Sequence, residues 1–114
     1  MSKIADEVLA FIKENLGLYT IKYEYFVFYR GVRLFFDFYL PELGLLVEVQ
    51  GEQHDAFVEH FHIDNAGYMA YKKRDRFKRE WAEQEGLLLL ELRKQDLVGM
   101  TMEKFFRLAG IPDA

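Results

Sequence analysis

The stretch from Tyr19 to Gln50 constrains the fold most. Three β-prone segments follow one another there across two turns too short to let them run parallel. Residues 19–29 (YTIKYEYFVFY) and 32–40 (VRLFFDFYL) are aromatic and β-branched, a composition that suits a pleated, half-buried surface. Arg30-Gly31 between them suits a two-residue hairpin turn, because glycine tolerates positive φ. Pro41-Glu42-Leu43-Gly44 makes the second turn, and residues 45–50 (LLVEVQ) form a third strand ended by Gly51.

Those turns set a register. A four-residue second turn opposes Leu40 to Leu45 and, counting back, Asp37 to Glu48; a two-residue first turn opposes Tyr29 to Val32 and Glu24 to Asp37. Alternation then predicts one continuous apolar face of Tyr23, Tyr25, Val27, Leu34, Phe36, Phe38, Leu45, Val47 and Val49. The other face collects Glu24, Asp37, Glu48 and Gln50 beside Phe26, Phe35 and Tyr39. Opposed residues on one sheet face have Cβ atoms ~4.5–5.5 Å apart, and like charges placed there are destabilising. A divalent cation resolves the conflict between Asp37 and Glu48, and carboxylate oxygens suit Mg²⁺ or Mn²⁺. The bland alternative is a solvated polar face in a different register.

The rest of the chain supplies helices. Apolar residues from Ile4 to Leu16 recur at helical spacing, which predicts a helix over 3–16 with Ser2 as N-cap and Gly17 as stop. Residues 52–64 lack a period and read as a loop, and 66–85 read as a helix capped by Gly86. Residues 87–92 (LLLLEL) suit a buried parallel strand. Thr101 opens a last helix carrying Phe105, Phe106 and Leu108, closed by Gly110. The expectation is an α/β fold of order α-β-β-β-α-β-α, its mixed central sheet flanked by helices. With no repeats, two prolines and no linker, residues 1–114 are expected to form one domain.

Composition excludes several classes. At 51% hydrophobic with 11 Phe, 7 Tyr and 1 Trp, the chain is not disordered. The absence of cysteine removes disulfides, thiol catalysis and thiolate zinc sites. The N-terminus mixes acids with apolar residues, which is wrong for a signal peptide. No apolar run approaches the ~18–20 residues of a membrane span, so a soluble, intracellular, cytoplasmic domain is expected. Its small size makes a homodimer a natural source of extra stability.

A formal charge of −4 argues mildly against a polyanionic partner, but the distribution argues the other way. Lys72, Lys73, Arg74, Arg76, Lys78 and Arg79 place six of the fifteen basic residues in eight positions, around Asp75. Such a run is often only a solvated helix face. Beside a carboxylate site, it is the candidate for phosphate contacts that give affinity without sequence choice. Tyr68, Tyr71, Phe77 and Trp81 on the same helix are expected in the core rather than stacked on bases.

The chain resembles the PD-(D/E)xK nuclease superfamily in its restriction-endonuclease-like form. Phe36-Asp37-Phe38 is similar to the family's first acidic motif, and Leu45-Leu46-Val47-Glu48-Val49-Gln50-Gly51 to its second. The expected element order matches the family's α-β-β-β-α-β core along nearly the whole chain. Glu48-Val49-Gln50-Gly51-Glu52-Gln53-His54, followed by Asp75 and Lys78, resembles the branch of very-short-patch-repair and EDxHD-type homing endonucleases. Gln50 departs from the pattern, which has lysine there; either the site works without it, or Lys72, Lys73 or Lys78 reaches in from the helix.

The resemblance implies that Asp37 and Glu48 hold Mg²⁺, with the Val49 carbonyl and Glu7 of the first helix as further ligands, where a simple partner of the helix dipole is the alternative for Glu7. It implies that Asp75 orients His54 or the metal's surroundings, where simple ion pairing with Lys78 and Arg79 is the alternative. His54 could take a proton from attacking water, ligate metal, or be hydrogen-bonded for structure alone. His60 and His62 are expected in a solvated or DNA-facing loop. The expected function is a Mg²⁺-dependent endonuclease hydrolysing DNA phosphodiester bonds, structure-directed or nicking, with RNA open as a substrate. Both a homodimer cutting two strands and a monomeric nickase fit. A nucleic-acid-binding module with a weakened site and a protein-interaction domain are the alternatives, and Gln50 favours the former.

Overall fold

In the computed structural model, residues 3–50 and 65–112 are described. They form helix α1 (Lys3–Leu16), strands β1 (Lys22–Tyr29), β2 (Val32–Leu40) and β3 (Leu45–Gln50), helix α2 (Asn65–Gln84), strand β4 (Leu88–Arg93) and helix α3 (Met102–Ala109). Short 3₁₀ turns at Pro41–Leu43 and Lys94–Leu97 complete the order. The N-cap expected at Ser2, the loop expected over 52–64, and His54, His60 and His62 lie outside the described residues.

The sheet is mixed, in the order β1-β2-β3-β4. The hairpin turn has φ of 50° at Arg30 and 78° at Gly31, the pair of positive values that lets a two-residue turn follow the twist of its strands. It pairs Tyr29 with Val32 and Phe26 with Phe35. Gly44, at φ 58°, closes the second turn and pairs Leu40 with Leu45 and Phe38 with Val47. Both registers match those the turns predict. The expected parallel strand is also present: β4 runs alongside β3 with Glu48 opposite Glu91, α2 carrying the chain back between them. β1 starts three residues later than its composition suggests. Glu42 accepts the Thr20 N–H at 3.0 Å and the Thr20 hydroxyl at 2.6 Å, which ties that segment to the second turn.

Helices cover both faces of the sheet. Val8, Ile12 and Leu16 of α1 and Phe105 and Ala109 of α3 pack with Phe38, Leu40, Leu45, Val47, Leu90 and Leu92. On the other side, Phe77 and Ala82 of α2 pack with Leu34, Phe36 and Leu46. α3 is bounded as expected: the Thr101 hydroxyl accepts the Lys104 N–H, and Gly110 ends it at φ 80°. No helix among the described residues is long and apolar enough to cross a membrane.

One expectation fails. The predicted continuous apolar face is broken between Phe36 and Phe38, which belong to different cores. The pair Glu24–Asp37 is missing from the ladder, although pairing continues in register on either side, and Glu24 sits at φ 46°. A left-handed residue there rolls the hairpin, so Tyr25, Val27, Leu34 and Phe36 turn to α2 while Phe38 stays on α1 and α3. Tyr25 accordingly meets Trp81 of α2 at 6.4 Å and Tyr39 at 4.6 Å between ring centroids.

Phe38 is fully buried whereas Phe28 is 64% exposed. Phe38→Ala is expected to lower unfolding free energy by roughly 3–5 kcal/mol, and Phe28→Ala to leave it within about 0.5 kcal/mol, as read by denaturant titration.

Candidate active site

The site forms where β2 and β3 part. Their ladder ends at Phe38–Val47. One residue further, the Asp37 carboxylate accepts the Val49 N–H at 2.7 Å through Oδ2. A side-chain oxygen thus satisfies an amide that the neighbouring strand would otherwise bond through its main chain. Asp37 and Glu48 are therefore not a ladder pair in the way the turn arithmetic suggests. They remain close enough to interact: the charge of Asp37 helps to raise the pKa of Glu48.

The opening is a cleft of about 210 Å³ lined by Arg33 and Phe35 of β2, by Glu48, Val49 and Gln50 of β3, and by Tyr71, Arg74, Asp75 and Lys78 of α2. Glu48 lies at its base with its side chain only 15% exposed. Lys78 Nζ stands 3.1 Å from Glu48 Oε1. The pKa of Glu48 is nevertheless pushed up to about 7, because burial outweighs the nearby ammonium and both Asp37 and Glu91 add repulsion.

A second layer supports this one. Gln50 Nε2 donates to Glu91 Oε2 at 3.1 Å. Arg79 grips the same carboxylate through Nε at 3.0 Å and Nη2 at 3.1 Å. The paired charge and hydrogen bond raise the pKa of Arg79 further. Arg79 also meets Asp75 at 3.2 Å, the ordinary i,i+4 pairing that the sequence allows. Glu91 was not among the residues singled out from the sequence. A lone acid inside the run LLLLEL, on a strand expected to be buried and parallel, is the available signal.

The structure divides the basic run. Arg74 and Lys78, one helical turn apart, line the cleft. Lys73 and Arg76 ride over the Phe77 ring at 5.6 and 5.4 Å, and Arg76 also pairs with Glu80 at 3.6 Å. Lys72 is exposed. Phe77 is buried and Trp81 packs on Phe36 at 5.6 Å, as expected of core residues, whereas Tyr71 lines the cleft instead. The side chain of Tyr68 lies outside the described ones.

Glu7 is exposed on α1. Among the described residues, no three acidic or histidine side chains converge closely enough to hold an ion, so Glu7 is not brought together with Asp37 and Glu48. The exposed Glu24 marks the roll of the hairpin. What does come together is a pair of carboxylates, Glu48 perturbed first by burial and then by the charge of Asp37, and oxygen donors of this kind suit a hard divalent cation.

No family model matches the chain, and no solved structure matches it. The chain is similar to two curated viral proteins. It is 37% identical over 62 residues to uncharacterized protein 033L of Invertebrate iridescent virus 3, a match covering 54% of this chain and 32% of that protein. It is 36% identical over 56 residues to uncharacterized protein 307L of Invertebrate iridescent virus 6, covering 49% of this chain and 28% of that one. The matched stretch is thus about a third of each relative's length or less.

The raised pKa of Glu48 has a signed consequence for stability. The unfolded chain ionises this group near 4.5 and the folded chain near 7, so its contribution is whole below the first value and is lost as pH rises through the second. Denaturant unfolding across that window is expected to show wild type losing stability with rising pH and Glu48→Gln losing less. Parallel curves for the two proteins would place the carboxyl at an ordinary pKa.

Proposed function

We propose that this chain is a small metal-dependent endonuclease that hydrolyses DNA phosphodiester bonds on a restriction-endonuclease-like core. The observation that carries the reading is the meeting of Glu48 and Lys78 in one cleft, with Asp37 held beside them by the Val49 amide of the cleft wall. The element order and the sheet with its single parallel crossover support it, because both agree with the core that the resemblance implies.

Asp37 and Glu48 would hold Mg²⁺ or Mn²⁺, which supplies water activation and neutralises charge at the scissile phosphate. The protein contributes the setting. Val49 N–H orients Asp37 through Oδ2, and among the described residues no hydrogen bond takes its other carboxylate oxygen. Lys78 reaches the cleft from α2 and offers N–H donors to phosphate oxygens as negative charge develops there. It thereby brings in the cation that Gln50 does not provide at the end of β3. Gln50, its amide turned by Glu91, and Arg74 at the cleft wall position the strand that enters. Arg79 neutralises Glu91, which keeps a third acid from repelling the phosphate.

A supercoiled-plasmid nicking assay with Mg²⁺, Mn²⁺ or EDTA tests the reading. Wild type is expected to nick only with metal, Asp37→Ala to lose the activity, and Lys78→Ala to slow it about a hundred- to a thousandfold. DNA binding without cutting in any metal would reduce the chain to a binding module. Neither binding nor cutting would leave a protein-interaction domain.

A further inference from the structure

The outer face of the β1–β2 hairpin carries aromatic rings that neither core uses. Phe26 opposes Phe35 and Phe28 opposes Arg33 across the strands. Phe26 is 50%, Phe28 64% and Phe35 54% exposed. Their neighbours Val27, Leu34 and Phe36 pack toward α2, so alternation turns these three rings outward. The Phe26 and Phe35 rings already touch, with centroids 5.2 Å apart and planes tilted by 46°. Phe35 and Arg33 also form one wall of the cleft that holds Glu48, Arg74 and Lys78. The aromatic patch is therefore continuous with the candidate active site.

We propose that Phe26, Phe28 and Phe35 are a stacking platform for unpaired DNA bases next to the phosphate held in the cleft, so that the substrate carries a single-stranded segment at the cut. The inference rests on the nuclease reading and adds the form of DNA to it. Three considerations select this occupant. Rings flanked by cations form the combination that binds single strands, because every base offers a π-face and every nucleotide a phosphate. Here Arg33 adjoins the rings and Arg74 and Lys78 lie beyond it. A fully paired duplex keeps its bases stacked on one another and offers the rings no face. A second copy of the chain is poorly served: three rings, each about half exposed, present roughly 300 Å², well short of the about 800 Å² per partner of a stable dimer.

The test separates binding from cleavage. Anisotropy titrations in EDTA compare a blunt duplex with the same duplex bearing a single-stranded overhang. The proteins are wild type, a Phe26→Ala/Phe35→Ala double variant and a Phe26→Trp/Phe35→Trp double variant. Both sites are exposed, and thermal melts check that folding is unchanged. Wild type is expected to prefer the overhang, the alanine pair to lose about tenfold or more on the overhang alone, and the tryptophan pair to retain the preference. Abasic nucleotides in the overhang should reproduce the loss in wild type and add little in the alanine pair. An equal loss on both DNAs, no loss at all, or an effect only on self-association in sedimentation would overturn the proposal. Metal-dependent nicking that persists without any overhang preference removes the platform and leaves the nuclease standing; absence of both binding and nicking removes the two together.

Discussion

The hydrogen bond from the Val49 amide to the Asp37 carboxylate decides the shape of this molecule's working end. A half-buried strand amide needs an acceptor, and leaving it without one costs about as much as a lost hydrogen bond. Had a main-chain carbonyl of β2 taken that role, β2 and β3 would remain zipped past Phe38–Val47 and Glu48 would be covered. With a charged side chain as acceptor, which makes a shorter and stronger bond, the strands part without an orphaned group. Among the described residues, every buried side-chain nitrogen and oxygen has a partner. Opposite Asp37, Glu24 takes a left-handed backbone, and the hairpin rolls from one core to the other. Cleft, roll and exposed aromatic arm thus originate at one position.

Electrostatics then concentrates where the strands part. The parallel pairing of β3 and β4 sets Glu91 opposite Glu48, while Asp37 approaches from β2. Burial above all, with added repulsion from Asp37 and Glu91, outweighs the single ammonium of Lys78 and holds the carboxyl of Glu48 well above its usual range. Titratable groups perturbed by burial and by like charges are commoner at functional sites than elsewhere. Arg79 offsets the charge of Glu91 through two hydrogen bonds.

Much of this was legible in particular residues. Arg30-Gly31 and Pro41–Gly44 specify turn lengths, and turn length specifies which residues stand opposite one another. The apolar run LLLLEL announced a parallel strand, and Thr101 and Gly110 bounded the last helix. The continuous apolar face was not legible correctly. A two-residue period assumes that no backbone unit leaves the extended region, and nothing in the letters around Glu24 signals a positive φ. The role of Glu91 was hidden for a related reason. Its importance comes from a neighbour more than forty positions away in the chain, brought alongside by a crossover.

Local chemistry in the chain therefore determined the turns, the strand order within the hairpins, the helix ends and the nearness of two acids. These depend on sterics and hydrogen bonds over a few residues, which the letters encode directly. Tertiary structure alone decided that Lys78 rather than Lys72 or Lys73 brings a cation to Glu48, that Arg79 and Glu91 brace the site, and that the basic run divides between the cleft and the exposed surface over Phe77. Those outcomes follow from the angle at which α2 lies across the sheet, and that angle is set by packing Phe77 and Ala82 onto Leu34, Phe36 and Leu46. Packing of this kind is a property of many side chains at once, so no short motif records it.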